Sequence, residues 1–185
     1  MRELALGGTA VGTGLNTTKD FAGKAISEIS AIVGQEFIEA PNHFEAQAAR
    51  DAAVSLSGQL KTLATALMKI AEDLRWLASG PRCGLGEINL PEIQPGSSIM
   101  PAKVNPVISE STMMVSAQVF GNDLAISLGG QRGNFELNVM LPMIAYNLNQ
   151  SINILTTASE NLVEKCLAGV TANIEKCAEL SLIHI

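Results

Sequence analysis

Residues 42–77 read NHFEAQAARDAAVSLSGQLKTLATALMKIAEDLRWL. Ala, Leu, Met and Ile recur there at three- and four-residue steps, interrupted only by Gly58, which is the pattern of a long helix. Asn42 is placed to cap its start, and Glu45, three residues on, to complete a capping box. At 1.5 Å per residue such a helix is roughly 50 Å long. Helices of that length belong to bundles, and Ala48, Ala49, Ala52, Ala53, Ala64, Ala66 and Ala71 are small enough to let neighbouring helices approach closely.

Working outward, residues 18–33 place Phe21, Ala25, Ile29 and Ile32 on one helical stripe that ends at Gly34. Residues 107–128 read as a second buried long helix, with Val107, Met113, Met114, Val115, Val119, Leu124, Ile126 and Leu128 as its apolar positions. Its methionines are read as core packing. Gly129 to Gly133 form a turn. Residues 134–165 give a third long helical pattern with Pro142 near its start, which predicts either a kink or an early helical position. After Gly169 a short helix is expected over 171–182. No alternating strand pattern is found, so the fold class is all-α, a bundle of long helices. The Gly- and Thr-rich residues 6–17, LGGTAVGTGLNT, are expected to end one helix and start the next. They are not a phosphate loop, because no Gly-Lys-Ser/Thr follows the glycines. His43, at a helix start and with no second His or carboxylate at ligand spacing, reads as a surface or packing residue.

The 185 residues are 47% hydrophobic but only 4% aromatic, with positive mean hydropathy. That is more aliphatic and Ala surface than a small monomer hides, and the excess reads as subunit contact. A net charge of −6 without any basic run argues against nucleic acid, whose phosphates need clustered Lys and Arg. Cys83, Cys166 and Cys177 are an odd number with no CxxC pair, which suits reduced thiols in a cytoplasmic protein rather than a disulfide framework or a zinc site. No membrane span and no signal peptide are read from the sequence, so a soluble, unexported protein is expected.

Between the first two long helices lies a loop over residues 80–106. Its last part is Gly96-Ser97-Ser98-Ile99-Met100-Pro101-Ala102-Lys103-Val104-Asn105-Pro106. Pro95, Pro101 and Pro106 forbid a continuous helix. Two adjacent hydroxyls, a cation and a carboxamide therefore share one loop, whose free N–H groups, with Lys103 and Asn105, would make a donor-rich pocket for carboxylates. A small dianion fits that chemistry. Glu110 falls in the first turn of the following helix, where the dipole favours a carboxylate.

The segment GSSIMPAKVNP resembles the signature loop of the fumarase/aspartase superfamily. The flanking SGPRCGLGEINLPEIQP and VISESTMMVSAQVFGNDLAI, and further off PNHFEA and GNFELNV, resemble class II fumarase. The resemblance implies a central bundle of long helices flanked by smaller domains, with residues 1–165 as part of the central domain and 166–185 as the start of the C-terminal one. It implies a homotetramer with sites shared between subunits. Family members are more than twice this length, so the chain is expected to be a fragment, inactive by itself, without the Thr-His motif whose His assists at the leaving hydroxyl; neither His43 nor His184 stands in that context. The last residues, from Leu182 to Ile185, no longer resemble the family.

By the same resemblance Ser97 matches the catalytic base, which takes a proton from the carbon beside one substrate carboxylate. Ser98, Lys103, Val104 and Asn105 match substrate-binding positions, and Glu110 matches the carboxylate that partners the absent His. The implied reaction is the reversible hydration of fumarate to (S)-malate in the tricarboxylic acid cycle, through a carbanion and without metal or redox cofactor. Aspartate ammonia-lyase, on the same scaffold, is the alternative. A non-catalytic helical fragment is a third reading.

Overall fold

The computed structural model describes residues 2–101 and 103–180. The expected end of the last helix at Leu182, and His184, lie outside them. Six α-helices are present among the described residues: α1 Phe21–Val33, α2 His43–Ala48, α3 Asp51–Leu77, α4 Val107–Gly130, α5 Leu141–Lys165 and α6 Ile174–Leu180. The three long ones confirm the all-α reading. None of them is long and apolar enough to cross a membrane.

Several expectations need correction. The break in the first long pattern falls at Ala49–Arg50 rather than at Gly58. Asn42 Oδ1 does accept the N–H groups of Phe44 and Glu45, at 3.1 and 3.3 Å, and starts α2. Ala49 is then extended, with ψ 148°, and the Arg50 guanidinium donates to the carbonyls of Ala46, Gln47 and Ala49 at 3.3, 2.6 and 2.7 Å. Those are the orphan acceptors of a helix end, satisfied here by a side chain. The Arg50 carbonyl in turn takes the N–H of Val54 at 3.0 Å, where α3 begins. Gly58 lies within α3, and a Cβ there would meet nothing within 4 Å.

Second, Gly129 and Gly130 end α4 instead of forming the turn. A Cβ at Gly129 would come within 2.8 Å of Ile144, and one at Gly130 within 2.8 Å of Val54, so both glycines are spacers that let α4 approach its neighbours. The expected start of the third helix is a hairpin. β4 (Gly133–Asn134) pairs with β5 (Leu137–Asn138) in antiparallel register Gly133↔Asn138 and Asn134↔Leu137. The buried Asn138 holds it by donating to the Gly129 carbonyl at 3.1 Å and accepting from the Met140 N–H at 2.9 Å. Helix α5 begins only at Leu141, which puts Pro142 in its first turn, where its missing N–H breaks no bond.

Third, the expected helix over 171–182 starts later, at Ile174. Thr171–Ala172 (β6) pairs with Ile88–Asn89 (β3) in antiparallel register. Likewise residues 6–17 follow a two-residue strand, Glu3–Leu4 (β1), which pairs in parallel with Ile38–Glu39 (β2).

The chain forms two compact units, and each takes part of α3, α4 and α5. In the first, residues 1–58 and 122–149, the buried apolar residues include Ala22, Ile26, Ala40, Ala53, Ile126, Ile144 and Leu148. Here the Gly-rich loop presses on α2. Gly12 has φ +83°, and a Cβ on it would lie 2.8 Å from the Phe44 backbone nitrogen. His43 Nε2 lies 3.1 Å from Glu39 Oε1, a carboxylate four residues upstream that the ligand-spacing reading overlooks.

In the second unit, residues 59–121 and 150–185, Ala64, Val119 and Leu155 form one cluster, with Leu60, Leu67, Val115 and Ile154 around it. Leu74, Leu162 and Cys166 form another, with Leu67, Ile88, Leu90 and Ile108 around it. Burial pushes the Cys166 thiol up, against a smaller opposing hydrogen bond with Ser109. Leu155→Ala is expected to cost about 2–5 kcal/mol of stability, because Leu155 is 2% exposed and Ala64 across from it cannot refill the void. A denaturant midpoint unchanged by the substitution would refute this packing.

Helix α4 is not the uniformly buried apolar rod that its sequence predicts. In the second unit it buries Ser109, Thr112 and Ser116 beside Val119, while Met114 is 67% exposed. Thr112 donates to the Ile108 carbonyl and Ser116 to that of Thr112, both at 2.9 Å. In the first unit it buries Asn122 and Asp123, and Leu124 is 61% exposed. Ser57 donates to Asp123 Oδ1 at 2.8 Å. At Thr112 and Ser116, small hydroxyls that bond back to the preceding turn permit close helix contact without leaving those two oxygens unpaired. Val119 and Ile126 are buried as well, while Met114, Phe120, Leu124 and Leu128 are left facing outward.

Candidate functional site

The site is built in the second unit, on the loop between α3 and α4. Its two arms meet at Pro95 and Val104, which form an isolated antiparallel bridge. The Gly96 N–H donates to the Lys103 carbonyl at 2.6 Å, and Asn105 Nδ2 donates to the Gly96 carbonyl at 3.4 Å. Glycine is required at 96 by this approach, since a Cβ there would stand 2.7 Å from the Lys103 carbonyl oxygen. Pro106 then leads directly into α4.

Inside the clamp the chain turns about Ser97. Its Oγ accepts two backbone N–H groups, those of Ile99 and Met100, each at 3.1 Å. Ser97 is half-buried, while Ser98 beside it is exposed. An open depression of about 460 Å³ is lined by Ser97, Lys103 and Val104 together with Glu92, Gln94 and Met100, among others. Of the six residues expected at the site, three therefore share one wall. Ser98 does not line the depression, and Asn105 spends its amide on bracing the loop. Lys103 is exposed, and among the described residues its ammonium group has no ion-pair partner.

Glu110 lies in the first turn of α4, outside that wall. Its contact is Arg75, from the last turn of α3, with Nη2 3.9 Å from Glu110 Oε1. The other arm of the guanidinium, Nη1, lies 3.6 Å from Met113 Sδ. Sequence reasoning singled out neither Arg75 as the contact of Glu110 nor Glu92 as a second charge on the depression. Among the described residues no three His, Cys, Asp or Glu side chains are grouped as a metal ion would require.

A serine hydroxyl that accepts two amide N–H groups, and an exposed lysine lining the same depression, are mounted here on long helices, which defines the class: an all-α protein of long helices with a polar loop site. A family model described as Lyase matches residues 1–121, and the chain belongs to that lyase family. It is similar to the class II fumarate hydratase of Neisseria meningitidis, 59% identical over 174 residues that cover 94% of this chain and 38% of that protein. It is similar also to the class II fumarate hydratase of Nitrosomonas europaea, 60% identical over 171 residues, 92% of this chain and 37% of the relative. Among solved structures, class II fumarase from Schistosoma mansoni superposes with TM-score 0.91 at 41% identity, over 96% of this chain and 40% of that one. The fumarate lyase:delta crystallin of Brucella melitensis gives 0.87 at 48%, with the same shares. The chain thus spans about two fifths of the length of these relatives.

Proposed function

We propose that this chain supplies the proton-abstracting and carboxylate-binding loop of a class II fumarate hydratase, which interconverts fumarate and (S)-malate by adding or removing water. The observation that carries the reading is the Ser97 hydroxyl, which accepts two N–H groups at 3.1 Å on the wall that also bears Lys103. A serine hydroxyl is a very weak acid, and two amide donors and a nearby cation favour its alkoxide. The carbon beside a carboxylate is a weak acid as well. Its carbanion spreads charge onto the carboxyl oxygens as an aci-carboxylate, which Lys103 holds more tightly than it holds the ground state. Val104 lines the same depression and adds to the substrate grip, to which Ser98, outside that depression, and Asn105, which braces its loop, are assigned by the resemblance alone. Glu110 partners a base that assists the leaving hydroxyl through water, supplied from outside this chain.

In the same reading residues 1–165 belong to the central helical domain and 166–185 open the C-terminal one. The enzyme is a cytoplasmic homotetramer with shared sites. The outward apolar side chains of α4, Met114, Phe120, Leu124 and Leu128, support subunit contact.

The test is turnover, followed at the absorbance of fumarate, of the 185-residue chain and of a chimera in which it replaces the matched 174 residues of the N. meningitidis protein. The chimera is expected to consume malate and not aspartate, and the chain alone to be inactive. Release of fumarate from aspartate but not from malate would overturn the assignment in favour of an ammonia-lyase. A chimera that folds and turns over neither would overturn the enzymatic reading.

A further inference from the structure

We infer that Arg75 is a positioning residue, which sets the orientation of the Glu110 carboxylate. The inference rests on the reading of Glu110 given above. Three observations carry it. First, the last turn of α3 brings the guanidinium across to the first turn of α4, with Nη2 3.9 Å from Glu110 Oε1. Second, the fork is held at a second point, since Nη1 lies 3.6 Å from Met113 Sδ, one helical turn beyond Glu110 on the same face of α4. Two anchors on one helix face restrict the swing of an otherwise mobile side chain, and a planar fork loses less freedom in doing so than an ammonium would. Third, among the described residues Arg75 is the sole charged group within ion-pair distance of Glu110, so nothing else there fixes which way its carboxylate faces.

A helix start attracts a carboxylate to its free N–H groups, which would turn Glu110 back toward its own backbone. Arg75 opposes that by drawing the carboxylate across to α3. The carboxylate is then held off its own helix end and remains available to a base arriving from another segment. Both side chains are partly exposed, so the coupling is modest.

The experiment uses the chimera and steady-state malate turnover. Arg75→Met, which keeps the length and apolar stem, is expected to lower kcat by about fivefold, within the range open to an exposed ion pair, with KM changed less than twofold. Arg75→Lys is expected to recover at least half of the loss. In a Glu110→Gln background Arg75→Met is expected to change kcat by less than 1.5-fold, because the charge it orients is gone. Circular dichroism melts guard against misfolding; should Arg75→Met melt early, Arg75→Gln replaces it. An equal loss in both backgrounds, no loss in either, or a lysine variant as poor as methionine would each overturn the inference. Glu110→Gln with full turnover would instead overturn the role of Glu110, and this inference with it.

Discussion

Ser97→Ala is expected to lower malate turnover by the chimera by roughly a hundred- to ten-thousand-fold, the range that a positioned proton-transfer group contributes, while KM moves less than threefold. The two effects separate for a structural reason. The clamp around the loop is made by the Gly96 N–H to Lys103 carbonyl bond, the Asn105 amide on the Gly96 carbonyl, and the Pro95 to Val104 bridge, none of which uses the serine hydroxyl. Alanine removes only the acceptor for the Ile99 and Met100 N–H groups, in a half-buried segment that water reaches. The grip on the substrate carboxylates therefore survives, and the proton acceptor does not. A loss in kcat below tenfold would mean that another group takes the proton, and Ser97 would then be only the pivot of a turn. A large rise in KM at unchanged kcat would point the same way, since it would assign the hydroxyl to binding.

The fold was legible in the sequence wherever apolar periodicity ran long. The pattern over 107–128 lies inside α4, and the Asn42 cap and the early position of Pro142 are as local chemistry requires. What escaped was set by partners distant in the chain. Ala48, Ala49 and Arg50 are all good helix formers, and only the capture of three carbonyls by the Arg50 side chain reveals a break there. Two-residue strands carry no periodicity, and Ile88 finds Ala172 across more than eighty residues. The hairpin at 133–138 is bent at Phe135, whose φ of +52° is one that a phenylalanine rarely adopts and that no propensity would anticipate. Helix α4 was legible only in part: Val119 and Ile126 are buried as their positions predict, but Met114, Leu124 and Leu128 are exposed, and the small hydroxyl residues Ser109, Thr112 and Ser116, which carry no apolar signal, are buried. At the site, proximity along the chain made Ser97, Lys103 and Val104 easy to group. The approach of Arg75 to Glu110 joins two helices and is visible only in three dimensions.

Lys103→Met is expected to reduce kcat/KM of the chimera by about a hundred- to a thousand-fold, the cost of deleting one preorganised donor to a developing anion. Its share in kcat should exceed its share in KM. A dianionic substrate presents charge to the lysine in the ground state as well, but proton removal adds a further charge to the carboxyl group that the ammonium faces, so the interaction is strongest at the transition state. The exposed lysine has no competing ion-pair partner among the described residues, and the methionine side chain fills the same space. The fold should be unaffected, with a melting temperature within a few degrees of the parent. Lys103→Arg should retain part of the activity if charge alone matters, and less if the compact ammonium is needed, because the wider fork reaches farther into the depression. Glu92 on the same wall sharpens the expectation. Once Lys103 is neutral, that carboxylate repels the substrate without opposition, so KM should rise more at low ionic strength than at high. Equal KM values in the two salts would show that Glu92 does not face the bound dianion. A kcat unchanged by Lys103→Met would remove the lysine from the chemistry altogether, and with it the electrostatic argument for carbanion formation at this loop.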